Sequence, residues 1–241
     1  MLLCPLVSTQ AKGTRDNGAA AASAPAIVVG FVGGRVRHDE PHHSEVQLAE
    51  KLRSEYPNGL HVEVFENRNE DEARAMIFRA LDANGDGKLS EEEKRRARII
   101  LYGHSWGGCA VLKLARDLAS DGVLVLLTVQ IDSVAKPGQD DRVVPGNVER
   151  AVNFYQTQGL IHGAEKITAA DPAHTQILGN YRFDYEKQAV ACHGYPWYDG
   201  VLYRTHTEIE CDPRVWTRIE SLIRAELASA LQNKTTTEAP R

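Results

Sequence analysis

No apolar run in this sequence approaches the roughly 20 consecutive residues that a bilayer-spanning helix needs, so a transmembrane segment is not expected. Positive charge is also short. Only 28 Lys and Arg stand against 33 Asp and Glu, a formal net charge of -5, which removes the electrostatic basis for binding nucleic acid or an anionic membrane. Four cysteines in 241 residues are too few for a disulfide scaffold, and a chain this long can bury a continuous core without one. Two methionines leave no Met-rich groove of the kind that calcium sensors expose. What is present, 42% hydrophobic and 25% charged residues without an internal repeat, describes one globular domain of ordinary size.

The ends carry little pattern. Residues 1 to 24 and the stretch from Asn233 to Arg241 are rich in small and polar residues without periodicity and read as mobile tails. Leu2 to Val7 followed by Ser8-Thr9-Gln10-Ala11 resembles the end of a secretory signal, yet no basic segment precedes it, so export stays open. Leu3 before Cys4 argues against a lipoprotein anchor. Cys109 is expected as a small buried thiol, whereas Cys192 and Cys211 would pair only in an exported chain.

Between the ends, apolar runs and amphipathic segments alternate. Ala26 to Val29 reads as a strand that ends in the glycine-rich turn Gly30 to Gly34. A helix opens at Ser44, with Gln47 completing a capping box and Val46, Ala49 and Leu52 facing inward. Leu60 to Phe65 alternates as a strand, and a helix from about Asp71 presents Met76, Ile77, Ala80 and Leu81 on one face. Ile99 to Tyr102 is a strand, Ala110 to Ala119 a helix, and Val123 to Ile131 a continuous β-branched run suited to a strand covered on both faces. Beyond it the pattern predicts a helix near Asn147 to Tyr155, a short strand around Lys166 to Ala169, and a strand Val201 to Tyr203. The last helix is capped by Asp212, has Pro213 in its first turn, and turns Val215, Ile219, Leu222, Ile223 and Leu227 inward. Strands alternating with helices predict an α/β fold with a mostly parallel sheet wrapped on both faces.

Gly103-His104-Ser105-Trp106-Gly107 matches Gly-x-Ser-x-Gly, and it lies between a strand and a helix, the setting that gives the motif its meaning. A serine forced into a strained turn there projects its hydroxyl above the sheet, and the flanking glycines let strand and helix approach. On these residues the chain resembles the α/β-hydrolase superfamily, particularly its lipase- and esterase-like members, over about residues 25 to 230. The resemblance implies Ser105 as nucleophile and the Trp106 amide as half of an oxyanion hole. The other half would come from Gly30-Phe31-Val32-Gly33-Gly34, which departs from the family's His-Gly-x loop by lacking the histidine. Phe31 is preferred there over Val32.

A serine hydroxyl needs a base, and the base needs a carboxylate, in the chain order nucleophile, acid, histidine. His38, His42 and His43 come too early, His104 is turned away by its place in the elbow, and His162, His174 and His193 lack the context of a strand before and a helix after. His206 has that context and is the expected base. Asp132, ending the long apolar strand, is favoured as the acid over Asp171, which sits in an Asp-Pro turn.

A second motif stands apart. Asp82-Ala83-Asn84-Gly85-Asp86-Gly87-Lys88-Leu89-Ser90-Glu91-Glu92-Glu93 fits a twelve-residue EF-hand loop, with oxygen side chains at positions 1, 3, 5, 9 and 12 and glycine at 6. Asp82, Asn84, Asp86 and Glu93, with the Lys88 carbonyl, are the expected calcium ligands. Ser90 and Glu93 also spell a capping box for the next helix. The loop reads as an EF-hand-like insertion, residues 70 to 98, before the nucleophile strand, with calcium in a structural role. His38-Asp39-Glu40-Pro41-His42-His43 fits no metal-binding spacing and reads as a solvated loop.

The expectation is a serine hydrolase that cleaves a small ester or lipid-like acyl substrate, with a structural calcium and no organic cofactor. An inactive hydrolase scaffold serving as a calcium-binding or interaction module is the alternative. Ser133 to Gln158 and Asp171 to Trp197 are possible caps over Ser105.

Overall fold

In the computed structural model, which describes residues 26–195 and 203–237, the apolar runs become strands and the amphipathic segments pack across them. The chain runs β1 (Ala26–Val32), α1 (Ser44–Glu55), β2 (Leu60–Glu66), α2 (Glu70–Leu81), α3 (Glu91–Arg95), β3 (Arg98–His104) and α4 (Trp106–Ser120). It continues through β4 (Val125–Ile131), β5 (Val143–Val144), β6 (Val148–Tyr155), β7 (Thr168–Ala169), β8 (Gln176–Arg182), α5 (Arg204–Cys211) and α6 (Pro213–Thr237). Six strands form one sheet in the order β2-β1-β3-β4-β6-β8, every neighbouring pair parallel. β5 and β7 make a separate two-stranded ribbon. A parallel sheet with helices on both faces and a Gly-flanked serine between β3 and α4 is the α/β-hydrolase architecture.

Alternation along the strands divides the core in two. Ile27, Val29 and Phe31 of β1, with Ile99 and Leu101 of β3, pack against α2 and α4. Val28, Val32, Ile100 and Tyr102 face the other way, against Val46, Ala49 and Leu52 of α1 and Val215, Ile219, Ile223 and Leu227 of α6. Gly30 breaks the row because a Cβ there would lie 2.5 Å from the Tyr102 ring. Tyr102 uses that space to donate from its hydroxyl to the Glu45 carbonyl at 2.7 Å, fixing the start of α1 to the central strand.

Several elements differ from the sequence reading. Asn147 to Tyr155 holds a strand, β6, not a helix. Its Glu, Arg and Ala favour helix weakly, but the slot between β4 and β8 supplies backbone partners on both sides, and tertiary pairing overrides propensity. Each supposed cap segment contributes a strand to the sheet, β6 from the first and β8 from the second. Ala73, Ile77 and Leu81 of α2 cover the sheet, and α2, the loop after it and α3 together connect β2 to β3. The Ser44–Gln47 capping box does not form, since His43 occupies the N-cap and Gln47 Nε2 donates to the Pro41 and His42 carbonyls. At α6, Asp212 Oδ1 does accept the Arg214 amide at 2.8 Å, and the helix runs on to Thr237. The strand predicted from Val201 lies outside the described residues, except Tyr203, which sits at the N-cap of α5. The tail read over residues 1 to 24 also lies outside them. No described helix is long and apolar enough to cross a membrane.

Candidate active site

The turn at Ser105 is built by steric necessity. Ser105 has φ 56° and ψ -125°, a left-handed conformation that side chains rarely adopt, and it caps the N-terminus of α4. A Cβ on Gly103 would lie 2.6 Å from the Gly107 backbone, and one on Gly107 would strike the Phe31 carbonyl. Both positions therefore require glycine for β3, α4 and β1 to close on one another. The first amides of α4 have no intrahelical partner, which leaves the Trp106 N–H beside Ser105 at the positive end of the helix.

Asp132 follows β4 at φ 41° and is wholly buried. Its Oδ1 accepts the Gly163 amide at 2.7 Å and the Gln156 amide at 3.2 Å, and Oδ2 accepts Gln156 Nε2 at 2.8 Å. His206 completes the shell, its Nδ1 standing 2.7 Å from Asp132 Oδ2. Burial pushes the Asp132 carboxyl up, but the bond and charge of His206 and the Gln156 and Gly163 donors hold it below the ordinary 3.8. An ionised Asp132 fixes the proton of a neutral His206 on Nδ1, leaving Nε2 as the acceptor. His206 lies in helix α5, not in the loop after a strand that its sequence context suggested. Among the described residues no hydrogen bond joins the Ser105 hydroxyl to His206.

Asp171 is elsewhere. Its carboxylate is exposed and engages His174 Nδ1 at 2.6 Å within its own turn. Phe31 lies inside β1, in register with Phe65 of β2 and Gly103 of β3, so its amide is committed to the ladder. In that segment the contact with Ser105 belongs to Gly33, where a Cβ would sit 2.9 Å from the serine Cβ. Gln156 and Gly163 were not foreseen from sequence, and nothing local to either marks it as a partner of a residue far away in the chain.

Behind the turn lies a cluster that sequence reasoning also missed. His104 Nε2 donates to the His206 carbonyl at 3.1 Å, and its Nδ1 is 3.3 Å from Glu210 Oε2. Glu210 also contacts His43 Nδ1 through Oε1, and Glu45 is beside them, fully buried. Burial lowers His104 to about 4, so it is neutral near pH 7. Burial also pulls His43 down, but the hydrogen bond and charge of Glu210 outweigh it and raise His43 to about 9. Glu45 is pushed well above the carboxylate range by burial and by Glu210. One signal was available: Glu45 is a charged residue placed among the inward positions Val46, Ala49 and Leu52 of α1.

The loop from Asp82 is closed by local hydrogen bonds and two glycines at positive φ. Gly87, at position 6, has φ 78°. Asp82 Oδ1 accepts the Gly85 and Asp86 amides and Oδ2 the Gly87 amide, while Asn84 Oδ1 accepts the Asp86 amide at 2.9 Å. Glu93 Oε1 accepts the Ala83 amide at 2.9 Å, and Oε2 takes the Ser90 amide and hydroxyl in a complete capping box. The oxygens of Asp82, Asn84 and Glu93 are thus engaged by the loop's own backbone, and Asp82, Asp86 and Glu93 do not all bring their carboxylates within 4.8 Å of one another. Leu89 packs against the core at the apolar position 8.

Cys192 and Cys211 form a disulfide, with Cα atoms 5.7 Å apart, and Cys109 is free and buried.

No family model and no curated protein matches the chain. Solved structures do. The RedJ thioesterase from the prodiginine biosynthetic pathway of Streptomyces coelicolor aligns at 12% identity and TM-score 0.38, covering 85% of this chain and 96% of that one. A dienelactone hydrolase from Anabaena variabilis aligns at 13% identity and TM-score 0.43, covering 86% and 88%. A dienelactone hydrolase-like promiscuous phosphotriesterase from metagenomic libraries aligns at 18% identity and TM-score 0.39, covering 84% and 87%. Identities this low assign no role to any residue here.

Proposed function

We propose that this chain is a serine hydrolase that cleaves a carboxylic ester or related acyl bond, with Ser105 as nucleophile, His206 as base and Asp132 as the acid. The observation that carries the reading is the 2.7 Å contact between His206 Nδ1 and a buried, multiply hydrogen-bonded Asp132, which follows β4 as the strained Ser105 follows the neighbouring β3 at the same end of the sheet. His206 Nε2 takes the Ser105 proton as Oγ attacks the acyl carbonyl. The Trp106 amide stabilises the oxyanion, with a second donor from the Gly33 turn in place of the Phe31 amide. His206 then returns its proton to the leaving group, and water, deprotonated in turn by His206, releases the acid. A groove of about 260 Å³ that reaches Thr205, the chain neighbour of His206, is walled by Leu160, Ile161 and Tyr203 and as much by the polar Gln158, Glu186 and Arg204, and would hold a substrate with both apolar and polar groups. Asp82, Asn84, Asp86 and Glu93, with the Lys88 carbonyl, would hold calcium, whose contribution is to stiffen the link from α2 into β3.

Labelling with a fluorophosphonate probe tests the assignment directly. Wild-type protein is expected to label and Ser105→Ala to remain unlabelled at equal folding by circular dichroism. Full labelling of the variant would sink it.

A further inference from the structure

His43, Glu45 and Glu210 form the one trio of His, Cys, Asp or Glu among the described residues whose donor atoms all lie within 4.8 Å of one another. It is no surface cluster: Glu45 is 0% exposed and Glu210 5%. Neither Glu45 oxygen has a hydrogen-bond partner, and the nearby Tyr195 hydroxyl is likewise buried and unpartnered. Carboxyl oxygens stripped of water and left unbonded are destabilising, and buried polar groups in native proteins ordinarily have partners. Three donors converging on one point from two separate helical segments offer a place for one.

From this we infer that His43, Glu45 and Glu210 bind a divalent transition ion, with zinc as the best match. One imidazole and two carboxylates suit zinc's mixed nitrogen and oxygen preference, whereas calcium and magnesium favour oxygen-only shells of six or more ligands. Two negative charges are neutralised by the ion, and the Tyr195 hydroxyl or a water can serve as fourth ligand. The site has a mechanical consequence. His43 and Glu45 flank the first residue of α1, while Glu210 belongs to α5, the helix that carries His206. An ion there ties α5 to α1 next to the Cys192–Cys211 bridge, and Glu210 also reaches His104, the neighbour of Ser105. The role is to position α5, without contact with substrate. The exposed His42, whose Nδ1 is spent on Glu40 at 2.8 Å, is outside the site.

The test titrates zinc into the full chain after chelation and dialysis, followed by isothermal calorimetry, metal analysis and cobalt substitution. One equivalent is expected to bind, and the cobalt form should show the visible bands of a low-coordinate site. Glu45→Gln, which keeps the shape of the side chain, should weaken zinc binding by at least about 100-fold and remove the bands. His42→Ala and Asp82→Ala should change neither, which separates this site from surface histidines and from the calcium loop. Absence of zinc binding in the wild type would overturn the inference and leave the trio as a cluster neutralised by protons. Undiminished binding in Glu45→Gln would overturn it equally.

Discussion

The loop Asp82 to Glu93 and the trio His43, Glu45 and Glu210 both gather carboxylates, and they meet the cost of that charge in opposite ways. In the loop most residues are exposed, and the acidic oxygens bond to backbone amides a few positions away. In the trio the groups come from distant parts of the chain, water is excluded, and Glu45 has no hydrogen-bond partner. Local hydrogen bonds make the first arrangement tolerable without any ion. The second depends on what neutralises it.

The same division between buried and exposed carboxylates separates the two acids considered for catalysis, and there the largest effect is expected. Asp132→Asn should lower kcat on the order of 10⁴-fold with the fold intact, because the imidazole loses the group that holds its tautomer. Asp171→Asn should leave ester turnover within about twofold, its carboxylate being occupied by His174 in an exposed turn. Comparable losses in the two variants would erase the distinction.

Stability comes next. Glu210→Ala strands the protonated His43 without its counter-charge and should cost about 3–5 kcal/mol, lowering Tm by about 10 °C. Asp86→Ala, in the open loop, should shift the calcium-free Tm by no more than about 2 °C. Thermal denaturation of the pair decides whether burial or mere acidity governs the cost.

Calcium sharpens the contrast further. At about 100 times its dissociation constant it should stabilise the wild type by about 2.7 kcal/mol. Asp82→Ala should abolish that gain and Glu45→Gln should keep it. A calcium response that survives Asp82→Ala would place the ion elsewhere.

The smallest effect concerns pH. The native Asp132 carboxyl titrates below its ordinary value, so its ionisation contributes stability above about pH 4 that is lost as pH falls through the native value. The wild-type Tm should therefore drop more steeply below about pH 4 than that of Asp132→Asn. Parallel curves would mean that the native shell around Asp132 does not favour its ionised form.

Sequence alone carried the alternation of strands and helices, the elbow at Ser105 and the glycine pattern of the Asp82 loop. These rest on conformations decided within a few residues: a glycine spacing that permits close approach, a positive φ at Gly87, a capping box at Ser90 and Glu93. Chain order singled out His206, which contacts Asp132, but did not indicate the helix that carries it. Tertiary structure brings Asp132, the acid already favoured over Asp171, to His206, and it alone decided that β6 is a strand, that the Phe31 amide is spent within the sheet, and that Glu45 and Glu210 share a dry pocket with His43. Each of these depends on which distant segments dock together, and docking is set by the summed burial of two core faces, a quantity with no signature in the residues that happen to meet.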